Sequence, residues 1–121
     1  MAVPATKAAL KKRRDALLIS FVERCIIYAE QHGRTLARDG SPVHAFLQKE
    51  CEIDGMLIET SVTCSAMSNG SCRLIVREKG DIVFDIEGCY TCAPFNLHIK
   101  KTDSKTNWKR RINAAIRDIR T

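Results

Sequence analysis

The first part of the chain has the apolar periodicity of an amphipathic helix from about Thr6 to His32. Apolar residues and a cysteine recur at helical spacing and form one stripe. The stripe consists of Leu10, Leu17, Leu18, Phe21, Cys25 and Tyr28. Pro4 and Thr6 favour a helix start, and Gly33 favours its end. The pattern therefore predicts one long helix followed by a loop over residues 34–40.

One turn of this helix cannot be buried on any side. Arg14 falls on the apolar stripe, and Lys11, Lys12 and Arg13 surround the rest of the turn. Because buried Lys and Arg are rare unless they are paired, we predict that this turn projects beyond a core that begins near Leu17.

A short second helix is predicted from Ser41-Pro42 to about Cys51. Serine is a good N-cap, and proline is favoured in the first turn of a helix. The apolar positions Val43, Phe46 and Leu47 support this interpretation.

The period changes to two from Met56 to Lys100, which indicates β-strands. Ser68-Asn69-Gly70 and Glu78-Lys79-Gly80 each resemble a three-residue hairpin loop with glycine in the left-handed position. These loops place Val62 opposite Val76, and they place Leu74 opposite Phe84. Two successive hairpins of this kind form a three-stranded meander.

The predicted register gives the meander one apolar face and one charged face. The inward residues are Cys64, Cys72, Leu74, Val76, Ile82, Phe84 and Ile86, with Ala66 opposite Cys72. The outward residues are Glu59, Arg73, Arg77, Asp81 and Asp85. Arg77 falls opposite Asp81 and Arg73 opposite Asp85, and opposite charges across a ladder stabilise it.

A fourth strand, Ala93 to Lys100, and a last helix, Ser104 to Arg120, complete the predicted fold. Pro94 cannot donate to a ladder, so the strand is expected either at an edge of the sheet or with a bulge at Pro94. The helix has an apolar stripe of Trp108, Ile112, Ala115, Ile116 and Ile119. The fold class is α+β, in the order α-α-β-β-β-β-α, with a four-stranded antiparallel meander and the N- and C-terminal helices packed on one face.

Charge divides the chain into three parts. Residues 1–40 hold eight Lys/Arg and four Asp/Glu, residues 41–99 hold four and eight, and residues 100–121 hold eight and two. The length of 121 residues suits a single α+β domain over residues 1–121, with basic helical ends at 6–32 and 104–120. No apolar run is long enough to span a membrane or to form an export signal, so a cytoplasmic location is expected.

The six cysteines are expected to be buried, reduced thiols, since thiols stay free in a reducing cytoplasm. A zinc site formed by Cys64, Cys72, Cys89 and Cys92 is an alternative, although the chain has one C-x-x-C instead of two. Disulfide bonds are a further alternative. No cofactor is otherwise expected.

Catalytic signatures are missing from the sequence. Two of the three carboxylates of residues 81–87 are matched by arginines across the strand. His32, His44 and His98 have no acidic or cysteine residue at a spacing that indicates a catalytic or metal site. The chain has no phosphate-cradling glycine loop. We therefore predict that it is not an enzyme.

The basic ends are the strongest candidate for function. Phosphate binding requires clustered, accessible Lys and Arg. The candidate residues are Lys11, Lys12, Arg13, Arg14, Lys109, Arg110, Arg117 and Arg120. The sequence thus favours a small protein that binds an anionic partner, nucleic acid first. Alternatives are a protein-interaction module, such as an inhibitor or adaptor of phage or mobile-element origin or a homo-oligomer, and a zinc-stabilised domain.

Overall fold

The computed structural model describes the backbone of residues 6–35, 45–65, 68–89 and 96–117, and their side chains except at 35, 45–48, 63–65 and 68–70. Within these ranges, two helices and six strands follow one another. They are α1 (Lys7–His32), β1 (Arg34–Thr35), β2 (Ala45–Ile53), β3 (Met56–Ser65), β4 (Ser68–Glu78), β5 (Asp81–Cys89), β6 (Asn96–Thr102) and α2 (Trp108–Ile116).

The strands form one antiparallel sheet in chain order, from β1 to β6. The sheet therefore consists of five longer strands and, at one edge, the two-residue strand β1. The α+β class is confirmed, but the strand count of four is wrong. The additional long strand is β2.

The predicted short helix is wrong over residues 45–51, which belong to β2, while residues 41–44 lie outside the described part. Cys51 and Ile53 are buried and alternate with Glu52, the period-two pattern of a strand. Asp54 and Gly55, with φ of 49° and 78°, then form a two-residue turn into β3. Asp-Gly is a strong hairpin signal, and here it outweighs the helix-start signal of Ser-Pro.

The predicted register between β3 and β4 is displaced by four residues. Val62 lies opposite Cys72 instead of Val76, and Ile58 lies opposite Val76. The predicted loop at residues 68–70 belongs to β4, whose first residue, Ser68, pairs with Ser65. Because the displacement is even, the described side chains of β3 and β4 keep their faces. The apolar face was therefore predicted correctly for Cys72, although the pairing was not; the side chain of Cys64 and the structure of Ala66 lie outside the described part.

The register between β4 and β5 differs by two residues over the body of the hairpin. Leu74 lies opposite Ile86 and Val76 opposite Phe84. The turn contains only Lys79 and Gly80, which displaces the pairing by one residue, and a bulge between Val76 and Arg77 adds the second. Near it, Val83 is buried and Ile82 only half-buried, which corrects the inward position predicted for Ile82.

Helix α1 begins and ends where predicted, with the Thr6 side chain accepting a hydrogen bond from the Ala9 N–H. Its buried residues are Ile19, Phe21, Val22, Cys25, Ile26 and Ala29. Leu10 and Leu17, which were assigned to the apolar stripe, are 46% and 63% exposed.

Helix α2 is shorter than the predicted range 104–120 and begins at Trp108. Trp108, Ile112 and Ile116 are buried as predicted, Ala115 is exposed, and Ile119 lies outside the described part. The edge position of the last strand is confirmed for β6, and residues 93–95 of the predicted strand are not described.

Both helices share one hydrophobic core with the sheet. At its centre the Trp108 ring lies 6.1 Å from that of Phe21 on α1 and 4.6 Å from that of Phe84 on β5. The first half of α1 borders Leu97 of β6, and the residue after its last turn, Gly33, lies against Glu50 of β2. Helix α1 therefore crosses the sheet from the β6 edge almost to the opposite edge.

Candidate anion-binding surfaces

The sheet face turned away from the helices is covered by ion pairs. Arg73 donates two hydrogen bonds to Asp85, at 3.3 and 3.1 Å, and this contact is the main cause of the raised pKa of Arg73. Asp85 is buried beneath this contact, although it was predicted to be an outward residue. The Arg73–Asp85 pairing was predicted, but Asp85 sits diagonally to Arg73 instead of directly opposite, because Glu87 occupies that position.

Three other pairs extend this charged surface. Arg77 contacts Glu59, at 3.2 Å, instead of Asp81, which is exposed. Lys100 contacts Glu87 at 2.6 Å, and Arg34 pairs with the buried Glu50. Four of the eight carboxylates in residues 41–99 are thus neutralised on the sheet itself.

Arg111 attaches α2 to the turns at one end of the sheet. It contacts Asp54 at 2.7 Å and also pairs with Glu78, beside the β4–β5 turn. Hydrogen bonds to these two carboxylates raise the pKa of Arg111. This contact joins residues far apart in sequence, so no local pattern predicts it, and it removes one cation of the basic C-terminal end from the set available to a partner.

The four cations of the α1 turn are exposed, as predicted, and none forms an ion pair with a described residue. They point in two directions. Lys11 and Arg14 precede the buried Cys25 by 14 and 11 residues, and residues at these spacings share one face of a helix. Both therefore lie on the side of α1 that faces the sheet. Lys12 and Arg13 lie on the remaining sides of the helix, toward solvent.

The cations of α2 lie beside the middle of α1. Arg24 of α1 donates a hydrogen bond to the Asn113 side chain, at 2.7 Å, and Lys109 Nζ lies 5.4 Å from the centre of the Phe21 ring. These two contacts show that α2 runs in roughly the same direction as α1. Arg110 and Arg117 are exposed, and they lie three residues before and four residues after Asn113, so they share the side of α2 that borders Arg24.

One row of cations follows the junction of the two helices. Arg13 is eleven residues before Arg24, and residues at this spacing share a face of a helix. We use the term basic seam for Arg13, Arg24, Lys109, Arg110 and Arg117. Within the described ranges, no carboxylate forms an ion pair with any of them.

The structure therefore separates the predicted set of eight residues. It brings Arg13, Lys109, Arg110 and Arg117 to the basic seam and adds Arg24, which sequence analysis missed. Lys12 lies on the opposite flank of α1. Lys11 and Arg14 belong to a groove of about 260 Å³ between α1 and β6 and to the adjoining surface. Arg120 lies outside the described residues.

The cysteines do not form the expected uniform set. Cys25, Cys51 and Cys72 are free and buried, and burial raises the pKa of Cys25 to about 12 and those of Cys51 and Cys72 to about 11. Cys89, by contrast, is in a disulfide bond. The side chains of Cys64 and Cys92 lie outside the described part, within which no cluster of three or more His, Cys, Asp or Glu could hold a metal ion.

No protein-family model, curated protein or solved structure matches this chain. Neither of the two described helices combines the length and apolar character needed to cross a membrane. The candidate surfaces are therefore interpreted from their own geometry and charge.

Proposed function

We propose that this protein is a non-enzymatic nucleic-acid-binding protein that contacts phosphates through the basic seam. The observation that carries the proposal is the distribution of ion pairs. The arginines of the sheet and Arg111 all have acidic partners, whereas the seam cations have none among the described residues. A polyanion would supply the missing partners and release its own counterions.

The length of the seam supports a polymeric partner over a single small anion. Arg13 and Arg24 are about 16 Å apart along α1, at 1.5 Å per residue, and Arg117 extends the row further. Duplex DNA carries one charge per roughly 1.7 Å of its axis. Several phosphates therefore lie within reach of the seam at once.

The four aromatic side chains that the structure describes favour phosphate contacts over base stacking. Phe21, Phe84 and Trp108 are buried, and Tyr28 is half-buried against the core and the His32 ring. Proteins that bind single strands without sequence preference use exposed aromatic rings as stacking platforms. None of these four rings is available in that way, so a duplex is the first ligand to test.

The test is a salt titration of binding to a labelled duplex of arbitrary sequence. Four phosphate contacts give a slope of about −4 in a plot of log K against log salt. The variant R110Q/R117Q should reduce the steepness by about two units, because each lost contact removes about 0.9. The fold should persist, since both side chains are exposed.

The matched control is K11Q/R14Q, which removes the same two charges from the groove side of α1. It should keep most of the parent slope if the seam is the binding surface. Equal losses in both variants would mean that only the overall charge matters. Absence of binding by the parent protein at low salt would end the nucleic-acid proposal.

A further inference from the structure

The outer edge of β6 is the longest free edge of the sheet. In the described part of the chain, no strand pairs with the side of β6 that faces away from β5, and β6 has seven residues. At the opposite edge, the two-residue β1 pairs only with Lys49 and Glu50 of β2, so the stretches of β2 without a described neighbour on that side, residues 45–48 and 51–53, are shorter. A free edge presents unpaired N–H and C=O groups to which another chain can add as a strand.

Helix α1 extends past this edge and covers the space beside it. Lys11, Asp15, Leu18 and Ile19 border the start of β6, so the residues from Lys7 to Leu10 lie beyond this contact. Four residues span about 6 Å of helix, and neighbouring strands are about 4.8 Å apart. The overhanging turn is long enough to cover one strand more than the described sheet contains.

The surfaces that border this space combine positive charge with exposed apolar groups. Lys7, Lys11 and Arg14 share the side of α1 that continues its buried stripe, at three- and four-residue spacing. Each is exposed and without an ion pair to a described residue. Leu10 lies beside them, and Ile99 of β6, opposite the buried Ile86, is 48% exposed on the helix side of the sheet.

We propose that β6 binds an extended acidic segment of a partner protein, which adds to the sheet beneath the N-terminal turns of α1. Main-chain hydrogen bonds to β6 would provide the affinity, as in other cases of strand addition. Apolar side chains of the segment would cover Ile99 and Leu10, and acidic ones would pair with Lys11 and Arg14. A second copy of this chain fits less well, because pairing two β6 edges brings two sets of like charges together.

This proposal concerns a different surface from the basic seam, and the two can be tested separately. The probe is the blocked peptide Val-Thr-Glu-Thr-Val-Thr-Glu, whose valines and glutamates share one face of an extended strand, with binding measured by fluorescence anisotropy. Hydrogen exchange should detect new protection of the β6 amides that face away from β5. A peptide with alternate N-methylated amides should not bind, because it cannot form the ladder, and a valine–lysine peptide should not bind, because its charges are repelled.

The variant K11Q/R14Q should bind the valine–glutamate peptide with three- to tenfold lower affinity, the range expected for the loss of two partly exposed ion pairs. The matched control R110Q/R117Q, with the same net charge, should leave peptide affinity unchanged. Failure of the peptide to bind at millimolar concentration, or binding without protection of β6, would overturn the proposal. If K11Q/R14Q instead weakens duplex binding and no peptide binds, the groove belongs to the nucleic-acid surface.

Discussion

Replacement of Phe84 by alanine tests the packing of both helices on the sheet. The Phe84 ring lies 4.6 Å from the Trp108 ring of α2 and 6.3 Å from the Phe21 ring of α1, and the residue is 3% exposed. Burial of a phenylalanine contributes about 1.5–3 kcal/mol, and each aromatic pair adds about 0.5–1.5 kcal/mol. Phe84→Ala should therefore lower the free energy of unfolding by about 3–5 kcal/mol, the range for such truncations in protein cores.

The single tryptophan of the chain provides the assay. Trp108 is buried in the same cluster, so its fluorescence should report unfolding in urea. The control is Leu17→Ala, which removes a side chain that is 63% exposed and should change stability by no more than about 0.5 kcal/mol. A free energy of unfolding for Phe84→Ala within about 1 kcal/mol of that of the parent protein would refute the described packing of the core.

Three further predictions concern the thiols, a glycine and metal content. Burial raises the pKa of Cys25 to about 12 and that of Cys51 to about 11 from 9.0. Above pH 9, the thiols of the unfolded chain therefore lose protons that the folded state keeps. The contribution of these protonated thiols to the free energy of unfolding is full below pH 9 and falls as pH rises from 9 to 12. Urea unfolding at several pH values should show the decline, and Cys25→Ala should flatten it. A Cβ on Gly88, at φ 143°, would lie 1.8 Å from the Asn96 carbonyl oxygen, whereas one on Gly55, at φ 78°, meets nothing within 4 Å. Thermal denaturation should therefore show a larger loss for Gly88→Ala than for Gly55→Ala, which carries only the left-handed backbone cost of about 1–2 kcal/mol. Elemental analysis should find no stoichiometric zinc, and a chelator should leave the circular dichroism spectrum unchanged; loss of structure would instead support a zinc-stabilised domain.

Features governed by local periodicity were predictable from the sequence. The bounds of α1 follow from its apolar spacing and the Thr6 cap. The apolar face of Leu74, Val76 and Phe84 follows from strict alternation, which survives any displacement by an even number of residues. The exact pairings were not predictable in this way, because a displacement of two or four residues leaves the same side chains facing the core.

Features that depend on contacts between distant segments were beyond the sequence pattern. β2 contains apolar residues compatible with either a short helix or a strand, and its pairing with β3 decides between them. The division of the basic residues into a seam and a groove likewise depends on where α2 docks. Arg24 and Asn113, 89 residues apart, make one of the contacts that fix this position.

The chain-order arrangement of the strands has a consequence for how the protein folds. Each strand pairs with its neighbours in sequence, and two of the turns contain only two residues, so little loop entropy opposes formation of the hairpins. The contacts of Phe21 with Trp108 and of Arg24 with Asn113 join segments near opposite ends of the chain. During synthesis, α1 is made first but cannot complete its packing until α2 has emerged. The basic seam therefore cannot form until α2 has docked, because three of its five cations lie on α2 or at its C-cap. A partner that bound the seam would distinguish the folded protein from forms in which α2 is not docked.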